Sequence, residues 1–213
     1  NGIEFITHAN NVFVFFQFQV KATVYAAVAE LNTDGLLVGS PRVVDSATKV
    51  RPGVRMKVFN LLESEDRQKL VIFSVNTTNA NSLKVRVITL NQQMESVNEA
   101  EISINSTNKK SNLSDFALDN NGNLFCLRNV TQTNMAPAVS LLYLSSSGDE
   151  VVESSVLNNS LLLDDIRIKI DNRAGRVILN SYYATTKKGN IEGLYSYIFN
   201  FPYCLSNAKV NIL

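Results

Sequence analysis

The sequence has few of the residues on which catalytic and metal chemistry most often depends. Its 213 residues include one His and two Cys. A zinc site built from several His residues is therefore excluded within one chain, and a His-dependent triad has His8 as its single candidate. No G-x-S-x-G nucleophile elbow accompanies His8. We predict a turn or capping role for His8 rather than catalysis.

The sequence also lacks any imbalance of charge. Twenty basic and nineteen acidic residues give a net charge of +1, and no block of like charge stands out. A nucleic-acid-binding protein usually presents a basic stripe, so we expect no nucleic-acid partner. Lys21 and Glu30 interrupt the apolar stretch 12–31, and each charge would cost roughly 2.5–3.5 kcal/mol at the centre of a membrane helix. Two buried strands are predicted there instead of a transmembrane segment.

The two cysteines, Cys126 and Cys204, lie far apart and have no C-x-x-C spacing or neighbouring His. Isolated thiols in strands are usually small buried hydrophobes, which is the role that we predict for both. A disulfide between them is the alternative, and it would imply an oxidising compartment. The sequence opens on Asn1 and Gly2 without Met, so we expect either a removed signal or a fragment of a longer chain.

A pattern of apolar landmarks recurs through the chain at a nearly constant step. The first landmark opens an apolar strand, with steps of 58, 54 and 53 residues, at Val12, Leu70, Leu124 and Val177. The second closes a later strand, with steps of 59, 54 and 55 residues, at Leu31, Leu90, Leu144 and Phe199. Asn or Ser follows each second landmark, as is typical of a strand that runs into a turn. A period of this size built from strands indicates propeller blades.

Short strands separated by turn residues fill each repeat. Residues 12–16 are almost continuously apolar, as expected of a strand that is covered on both faces. Residues 54–58, 83–87 and 166–170 instead alternate apolar and basic side chains, which predicts strands with one wet face. After Phe199, Pro202 argues against a central strand, but residues 207–213 can still form an outer edge strand.

We therefore predict an all-β fold: a single β-propeller-like domain over residues 1–213. It contains about four four-stranded antiparallel blades, at residues 2–45, 54–105, 112–157 and 164–213. These blades form either a closed small propeller or part of a larger ring. A β-sandwich is the alternative fold, because it also produces many short strands, but it predicts no regular long period.

The fourth repeat carries the most detailed pattern. One strand ends in Asp171, a turn with Gly175 follows, the next strand closes on Tyr182 and Tyr183, and a hairpin with Gly189 leads to the third strand. Residues 119–124 repeat the first half of this pattern one unit earlier. The pattern resembles a blade in uncharacterised β-propeller repeat proteins of bacterial cell envelopes. The resemblance implies a propeller and a periplasmic, cell-surface or secreted location, but no activity.

Acidic residues supply two further candidate sites, each with a simpler explanation. Glycoside hydrolysis requires two carboxyl groups about 5–10 Å apart, and paired carboxylates occur at Asp164–Asp165 and within residues 63–66. Neighbouring residues of a strand point to opposite faces, so Asp164 and Asp165 are poorly placed to act together. Residues 63–66 are explained by a solvated loop.

Residues 119–123 resemble the start of a calcium-binding loop, because Asp and Asn oxygens precede a Gly. The downstream Glu and the flanking helices of such a loop are absent from the sequence, and a hairpin turn explains the same residues. We therefore predict no metal ligands, no cofactor and no catalytic residues.

A binding surface is the remaining prediction for function. The loops between second and third strands, together with the crossings between blades, gather on one face of a propeller, and their polar residues suit contacts with a peptide or glycan. The candidate residues are Asn79, Asn81, Asn129, Thr131, Gln132, Asn134, Met135, Lys187, Lys188 and Asn190.

The sequence thus favours a non-catalytic ligand-binding or protein-binding module of a bacterial envelope or secreted protein. Its expected partner is a protein, a peptide or a glycan, and further blades or domains would cover the end faces of an open ring. The alternative is a glycan-active hydrolase or lyase on a propeller scaffold. Such an enzyme would use His8, Glu63, Glu65 and Asp66.

Overall fold

A computed structural model describes residues 2–8, 11–48, 57–79, 82–105, 111–130, 138–156, 161–186, 189–201 and 210–212. For His8 and for residues 77–79 and 210–212 it describes the backbone alone. The regular structure of this described part consists of β-strands. No helix in it is long and apolar enough to cross a membrane.

The strands form four antiparallel sheets, each built from four consecutive strands and here called blades 1 to 4. Blade 1 contains β1 (Ile3–His8), β2 (Asn11–Val20), β3 (Thr23–Leu31) and β4 (Leu37–Ala47). Blade 2 contains β5 (Phe59–Glu63), β6 (Leu70–Asn79), β7 (Ser82–Leu90) and β8 (Ser96–Asn105). Blade 3 contains β9 (Ser111–Leu118), β10 (Leu124–Val130), β11 (Ala138–Leu144) and β12 (Val151–Ser155). Blade 4 contains β13 (Leu162–Asp171), β14 (Arg176–Ala184), β15 (Gly193–Asn200) and β16 (Val210–Ile212).

This architecture confirms the prediction of an all-β, propeller-like fold made from four-stranded units. The β-sandwich alternative does not describe it, because the strands form four sheets rather than two. The outer strand expected within residues 207–213 is β16, which pairs with β15. Of the alternating strand predicted at residues 54–58, residues 54–56 lie outside the described residues, and Lys57 and Val58 precede β5 rather than forming part of it.

The two landmarks of the sequence repeat are direct partners across the second and third strands of every blade. The pairs are Val12 with Leu31, Leu70 with Leu90, Leu124 with Leu144, and Val177 with Phe199. A one-residue slip between these strands would move every side chain to the opposite face of the sheet. The two landmarks therefore keep nearly the same step along the chain.

The blades pack face to face through three apolar cores. The first joins blade 1 to blade 2 and includes Phe15 and Phe59, both 0% exposed. The second joins blade 2 to blade 3 and includes Phe73 and Cys126. The third joins blade 3 to blade 4 and includes Val177. Successive side chains of a strand point to opposite faces, so the middle strands of blades 2 and 3 each contribute to two cores.

The first strands of blades 2, 3 and 4 lie innermost. Strand β9 contacts both β5 and β13, whereas the fourth strands β4 and β12 are largely exposed outer edges. Because neighbouring strands are antiparallel, the turns between first and second strands meet near the axis at one end of the assembly. The loops between second and third strands lie at the other end.

Strand β2 is covered on only one of its faces within the described residues. Phe13 and Phe15 are 3% and 0% exposed against blade 2. Val12 and Val14 point the other way and are half-buried, and no core among the described residues joins them to another blade. The expectation that residues 12–16 are covered on both faces therefore holds for one face, and the described part is an arc of four blades with three joints.

Buried polar side chains also join the blades. Gln17 in β2 is 7% exposed, and its Nε2 donates to the carbonyl oxygen of Phe59 at 2.7 Å. Its Oε1 accepts from the N–H groups of Val58 at 3.0 Å and Phe59 at 2.9 Å. These backbone groups at the start of β5 would otherwise be buried without partners. A single side chain of blade 1 thus fixes where blade 2 begins.

Candidate functional site

Three of the ten predicted binding residues fall in the described part. The backbone of Asn79 at the end of β6 pairs with that of Ser82 at the start of β7. Asn129 is half-buried, and its Nδ2 donates to Oγ of Ser114 at 2.8 Å. Asn190 is exposed before β15. The other seven, which are Asn81, Thr131, Gln132, Asn134, Met135, Lys187 and Lys188, lie outside the described residues, and the binding role of all ten stays a prediction.

At the opposite end of the blades, three successive turns converge near the axis. The N–H of Asp66 donates to Oδ1 of Asn120 at 3.2 Å, and the N–H of Asn120 donates to Oδ1 of Asn172 at 2.9 Å. Nδ2 of Asn172 then donates to Oε2 of Glu65 at 2.8 Å. We call these four residues the axial turn cluster. It brings together Glu65 and Asp66, two residues of the proposed hydrolase site, but in a hydrogen-bonded network that joins turns.

Asp119 has the turn-forming role that the sequence indicates for residues 119–123. It is 0% exposed, and its Oδ1 accepts from the N–H groups of Asn121 at 2.9 Å and Asn123 at 2.7 Å. Its Oδ2 accepts from Nδ2 of Asn123 at 2.9 Å, and Gly122 has a φ of 89°. Both carboxylate oxygens therefore stabilise the turn. Among the described residues, no group of three His, Cys, Asp or Glu could hold a metal ion.

A second polar cluster lies on the innermost strands. Arg167 of β13 pairs with Asp165 of its own strand at 2.7 Å and with Asp115 of β9 at 3.5 Å. Asp115 also accepts from the N–H of Ile168. These contacts raise the pKa of Arg167, chiefly through its hydrogen bond to Asp165. The two carboxylates thus share one cation and join blade 3 to blade 4.

The local geometry at Asp165 corrects one detail of the sequence argument. The register between β13 and β14 shifts between Asp164 and Arg167, and Asp165 has a φ of 50°. Strict alternation of side chains is lost at a β-bulge, so Asp164 and Asp165 are not simply on opposite faces. Asp tolerates the left-handed conformation better than most residues, and the bulge turns its carboxylate towards Arg167.

Hydrogen bonds from neighbouring groups lower the pKa of several carboxyl groups. The hydroxyl of Ser64 is the largest cause for Asp66. The N–H of Ala174, followed by the side chain of Arg176, lowers the pKa of Asp171. These carboxyl groups are ionised at neutral pH. The general acid of a glycoside hydrolase needs the opposite, which is a raised pKa.

A cleft of about 210 Å³ opens between blade 1 and blade 2. Its floor is apolar, because Phe13, Val28 and Met94 line it and are 3%, 3% and 1% exposed. Its rim is polar and includes Glu30, Ser40 and Arg42. Small-molecule sites are typically about 300–1,000 Å³. This cleft is therefore large enough for one long side chain rather than for a whole drug-sized ligand.

The charged groups of the cleft differ in their contacts. Nη2 of Arg42 donates to the carbonyl oxygens of Gln93, at 3.0 Å, and Met94, which fixes the turn of blade 2 against β4. Glu30 has no ion-pair partner among the described residues. No pattern in the sequence indicates this cleft, because Arg42 and Gln93 are 51 positions apart and neither belongs to a recognisable motif.

Cys126 is a free thiol and is 0% exposed between blades 2 and 3. This burial confirms the role predicted for it as a small hydrophobe. Desolvation raises the pKa of the thiol far above neutrality, so it is protonated and a poor nucleophile. Cys204 lies outside the described residues, and its buried role stays a prediction.

The chain matches no protein-family model and no curated protein. It is similar to several solved structures. A mutant of the Synechocystis apocarotenoid oxygenase matches with a TM-score of 0.50 and 12% identity, over 97% of this chain and 47% of that chain. A chimera of that oxygenase with RPE65 matches with a TM-score of 0.50 and 11% identity, over 98% of this chain and 47% of that chain. A thermostable family-43 glycoside hydrolase matches with a TM-score of 0.46 and 9% identity, over 98% of this chain and 73% of that chain.

The fold is propeller-like. The oxygenase matches extend over almost the whole chain and agree with the four blades described above. The chain spans about half the length of the oxygenase structures that it matches. At 12% identity or less the likeness concerns the fold alone, because unrelated activities share such scaffolds.

Proposed function

We propose that the protein is a non-catalytic binding module, and that it binds a protein or peptide segment through a basic side chain of that segment. The proposed site is the cleft between blades 1 and 2. One observation carries the proposal: the carboxylate of Glu30, without an ion-pair partner among the described residues, stands at the rim of a floor made from Phe13, Val28 and Met94.

A Lys or Arg side chain complements this arrangement. Both side chains pack an aliphatic stem on apolar surface while the cationic head remains at a polar rim. The stem would cover Phe13 and Met94, and the head would donate to Glu30. A hydrogen bond between two ionised groups is roughly twice as strong as one between neutral groups. The volume of about 210 Å³ suits one such side chain presented by a longer chain.

The contacts of the carboxylates outside the cleft support binding over catalysis. Asp115 and Asp165 share the cation of Arg167, and Glu65 accepts from Asn172 in the axial turn cluster. The contacts of Asp115 and Glu65 link one blade to another, so these carboxylates take part in the packing of the blades. The glycan-active alternative stays a prediction. An envelope or secreted location, implied by the sequence resemblance, and a further contribution from loop residues such as Asn129 and Asn190 are parts of the proposal.

A selection from a random peptide library displayed on phage tests the proposed ligand class. We expect the immobilised protein to enrich peptides that contain Lys or Arg flanked by apolar residues. Glu30→Gln should weaken binding of an enriched peptide about tenfold or more, because a hydrogen bond to a charged group contributes about 1.5–3 kcal/mol. Fluorescence anisotropy with the labelled peptide provides the dissociation constants.

Glu150→Gln is the matched control, because Glu150 is exposed in the turn between β11 and β12 of blade 3 and does not line the cleft. It should leave the affinity unchanged. Enrichment of peptides without basic residues, or equal affinity of the Glu30→Gln variant, would contradict the proposal. Turnover of any polysaccharide in a panel, abolished by Asp66→Asn, would instead establish the glycan-active alternative.

A further inference from the structure

The three joints between blades use the same positions in each repeat. The first landmark and the residue two places after it face the preceding blade, as Leu70 and Ile72 do towards blade 1. The residues one and three places after the landmark face the next blade, as Val71 and Phe73 do towards blade 3. Two unlike faces thus meet at every joint, and each blade has one face of each kind.

The face of blade 1 that corresponds to the preceding joint is apolar and open. Its landmark residues Val12 and Val14 are only half-buried, whereas the equivalent Leu70 and Ile72 are 0% and 1% exposed. The exposed fraction of the apolar side chains on this face is greatest in β1. Ile3 lies opposite Phe16 and is 65% exposed, and Phe5 lies opposite Val14 and is 71% exposed.

Aromatic rings extend this apolar surface across the sheet. Phe18 stacks with Phe16 at a centroid distance of 6.1 Å and with Tyr25 at 5.2 Å. On the same face, the small residues Ala29 and Ala27 of β3 lie opposite Val14 and Phe16 of β2. Contiguous exposed apolar patches of this kind are uncommon on soluble monomers and usually mark a contact surface. Val12 and Val14 occupy the positions of Leu70 and Ile72, of Leu124 and Cys126, and of Val177 and Leu179, which are buried at the three joints. Phe16 occupies the position of Ser74, Arg128 and Ser181, so the patch is more apolar there than the joints are.

The open face of blade 4 is different in chemistry. Asn180 occupies the position of Phe15, Phe73 and Leu127, which are all buried in joints. Ser196 occupies the position of Val28, Val87 and Leu141, which are likewise buried. Oγ of Ser196 donates to Oδ1 of Asn180 at 2.6 Å, and Lys169 lies exposed beside them opposite Ile178. Terminal repeats of repeat proteins carry a polar outer face of this type.

We propose that the open face of blade 1 is a blade joint whose occupant is a further four-stranded β-blade, preceding residue 1 in the same polypeptide. Its contacting surface would be apolar, with aliphatic or aromatic residues at the positions of Phe13 and Phe15. The open face of blade 4, in contrast, has Asn180 and Ser196 at positions that are apolar in all three joints, beside the exposed Tyr182 and Leu194. The inference is independent of the ligand proposed for the cleft.

The pattern of the joints favours a preceding blade over a second copy of the chain. A head-to-tail pair would press Lys169, Asn180 and Ser196 against the aromatic surface of blade 1, and burying such polar groups without new partners is costly. A symmetric pair would bring two preceding-blade faces together, whereas each of the three joints combines unlike faces. A preceding blade reproduces the packing already present.

Cysteine labelling in the complete polypeptide expressed from its full reading frame tests this inference. Phe5→Cys probes the face of blade 1, and Tyr182→Cys probes the face of blade 4, in a Cys204→Ser background. Phe5 and Tyr182 are 71% and 45% exposed, so without a cover Phe5→Cys would react at least as fast. We expect Phe5→Cys to react with maleimide more than about tenfold more slowly, because a covered site must open before it reacts.

Light scattering and radical footprinting complete the test. The protein with a protected Phe5→Cys should have the mass of a single polypeptide. Equal labelling at both positions, or protection that disappears as a dimer is diluted, would overturn the inference, as would protection of Tyr182→Cys. If Phe5→Cys fails to fold, hydroxyl-radical oxidation of the unsubstituted protein decides the question, since Phe5 and Phe18 should then be oxidised far less than Tyr182.

Discussion

Nδ2 of Asn172 donates to Oε2 of Glu65 at 2.8 Å, although the two residues are 107 positions apart. The bond links a turn of blade 4 directly to a turn of blade 2. Asn120 of blade 3 lies within the same network through its contacts with Asp66 and Asn172. Three blades are therefore tied together at one point near the axis, and the acidic residues there are structural.

Replacing Asn172 should reveal how much this network stabilises the fold. Asn172→Ala removes the acceptor for the N–H of Asn120 and the donor to Glu65. We expect the free energy of unfolding to fall by about 1–2 kcal/mol, which is the range for losing one or two hydrogen bonds. Urea denaturation followed by circular dichroism measures it. Asn121→Ala, at an exposed turn position, is the control and should change the value by less than about 0.5 kcal/mol.

Gln17→Leu should be more damaging, because Gln17 is buried and serves three backbone groups of Val58 and Phe59. Leu has a similar volume but leaves those groups without partners. We expect a loss of about 2–4 kcal/mol in the free energy of unfolding. Gln92→Leu, at an exposed position, should cost less than about 0.5 kcal/mol. Equal stability of the two variants in urea titrations would show that the backbone groups find other partners.

Two residues in the left-handed conformation should respond oppositely to glycine. Arg67 has a φ of 56° and a side chain that is 69% exposed. Met94 has a φ of 59° but is 1% exposed. Arg67→Gly relieves strain and should leave the protein equally stable or up to about 1 kcal/mol more stable. Met94→Gly relieves the same strain but empties part of the first core, and should destabilise by about 2–4 kcal/mol.

Thermal scans of both glycine variants, run beside the unsubstituted protein, measure these shifts. A destabilised Arg67→Gly would show that its contact with Glu63 at 3.9 Å contributes more than the strain costs. A stable Met94→Gly would show that the core closes around the missing side chain.

Acid should destabilise the protein through Asp171. Its folded-state pKa lies below the usual value of an Asp carboxyl group, because the N–H of Ala174 and then the side chain of Arg176 donate hydrogen bonds to it. A lowered folded pKa gives stability that is present above the unfolded value and is lost as pH falls through the folded value. We therefore expect the urea concentration at the midpoint of unfolding of the unsubstituted protein to decrease once the pH falls below about 4.

Asp171→Asn isolates this contribution. The difference in urea midpoint between the variant and the unsubstituted protein should be largest near neutral pH and should shrink on acidification. Asp34→Asn, in the exposed turn between β3 and β4, is the control. A difference for Asp171→Asn that stays constant between pH 2 and pH 7 would rule out the ionised carboxylate as its source.

Cys126 should be unreactive until the protein unfolds. In a Cys204→Ser background we expect no reaction with a disulfide reagent at pH 8, because the thiol is buried and its pKa is raised. One thiol should react promptly in urea. Rapid labelling under native conditions would show that the core between blades 2 and 3 opens readily.

Much of the fold was accessible from the sequence because strands, turns and repeat steps are local patterns. The landmarks Val12 and Leu31, for example, are partners in one hairpin only 19 positions apart by sequence number. The turn role of residues 119–123 was also predictable, since Asp119 bonds within its own turn. The cleft was not predictable, because Glu30 and Met94 come from different blades.

By itself, the sequence determined the all-β class, the repeat step and the four-stranded unit, since alternation and turn residues act between near neighbours. The tertiary structure decided what the turns and faces meet. It placed Glu65 in a hydrogen bond with Asn172 and Asp165 in an ion pair with Arg167. It also left Phe5 exposed while Phe59 is buried. Those outcomes depend on how separate blades pack, and no local pattern specifies which distant surface a side chain will contact.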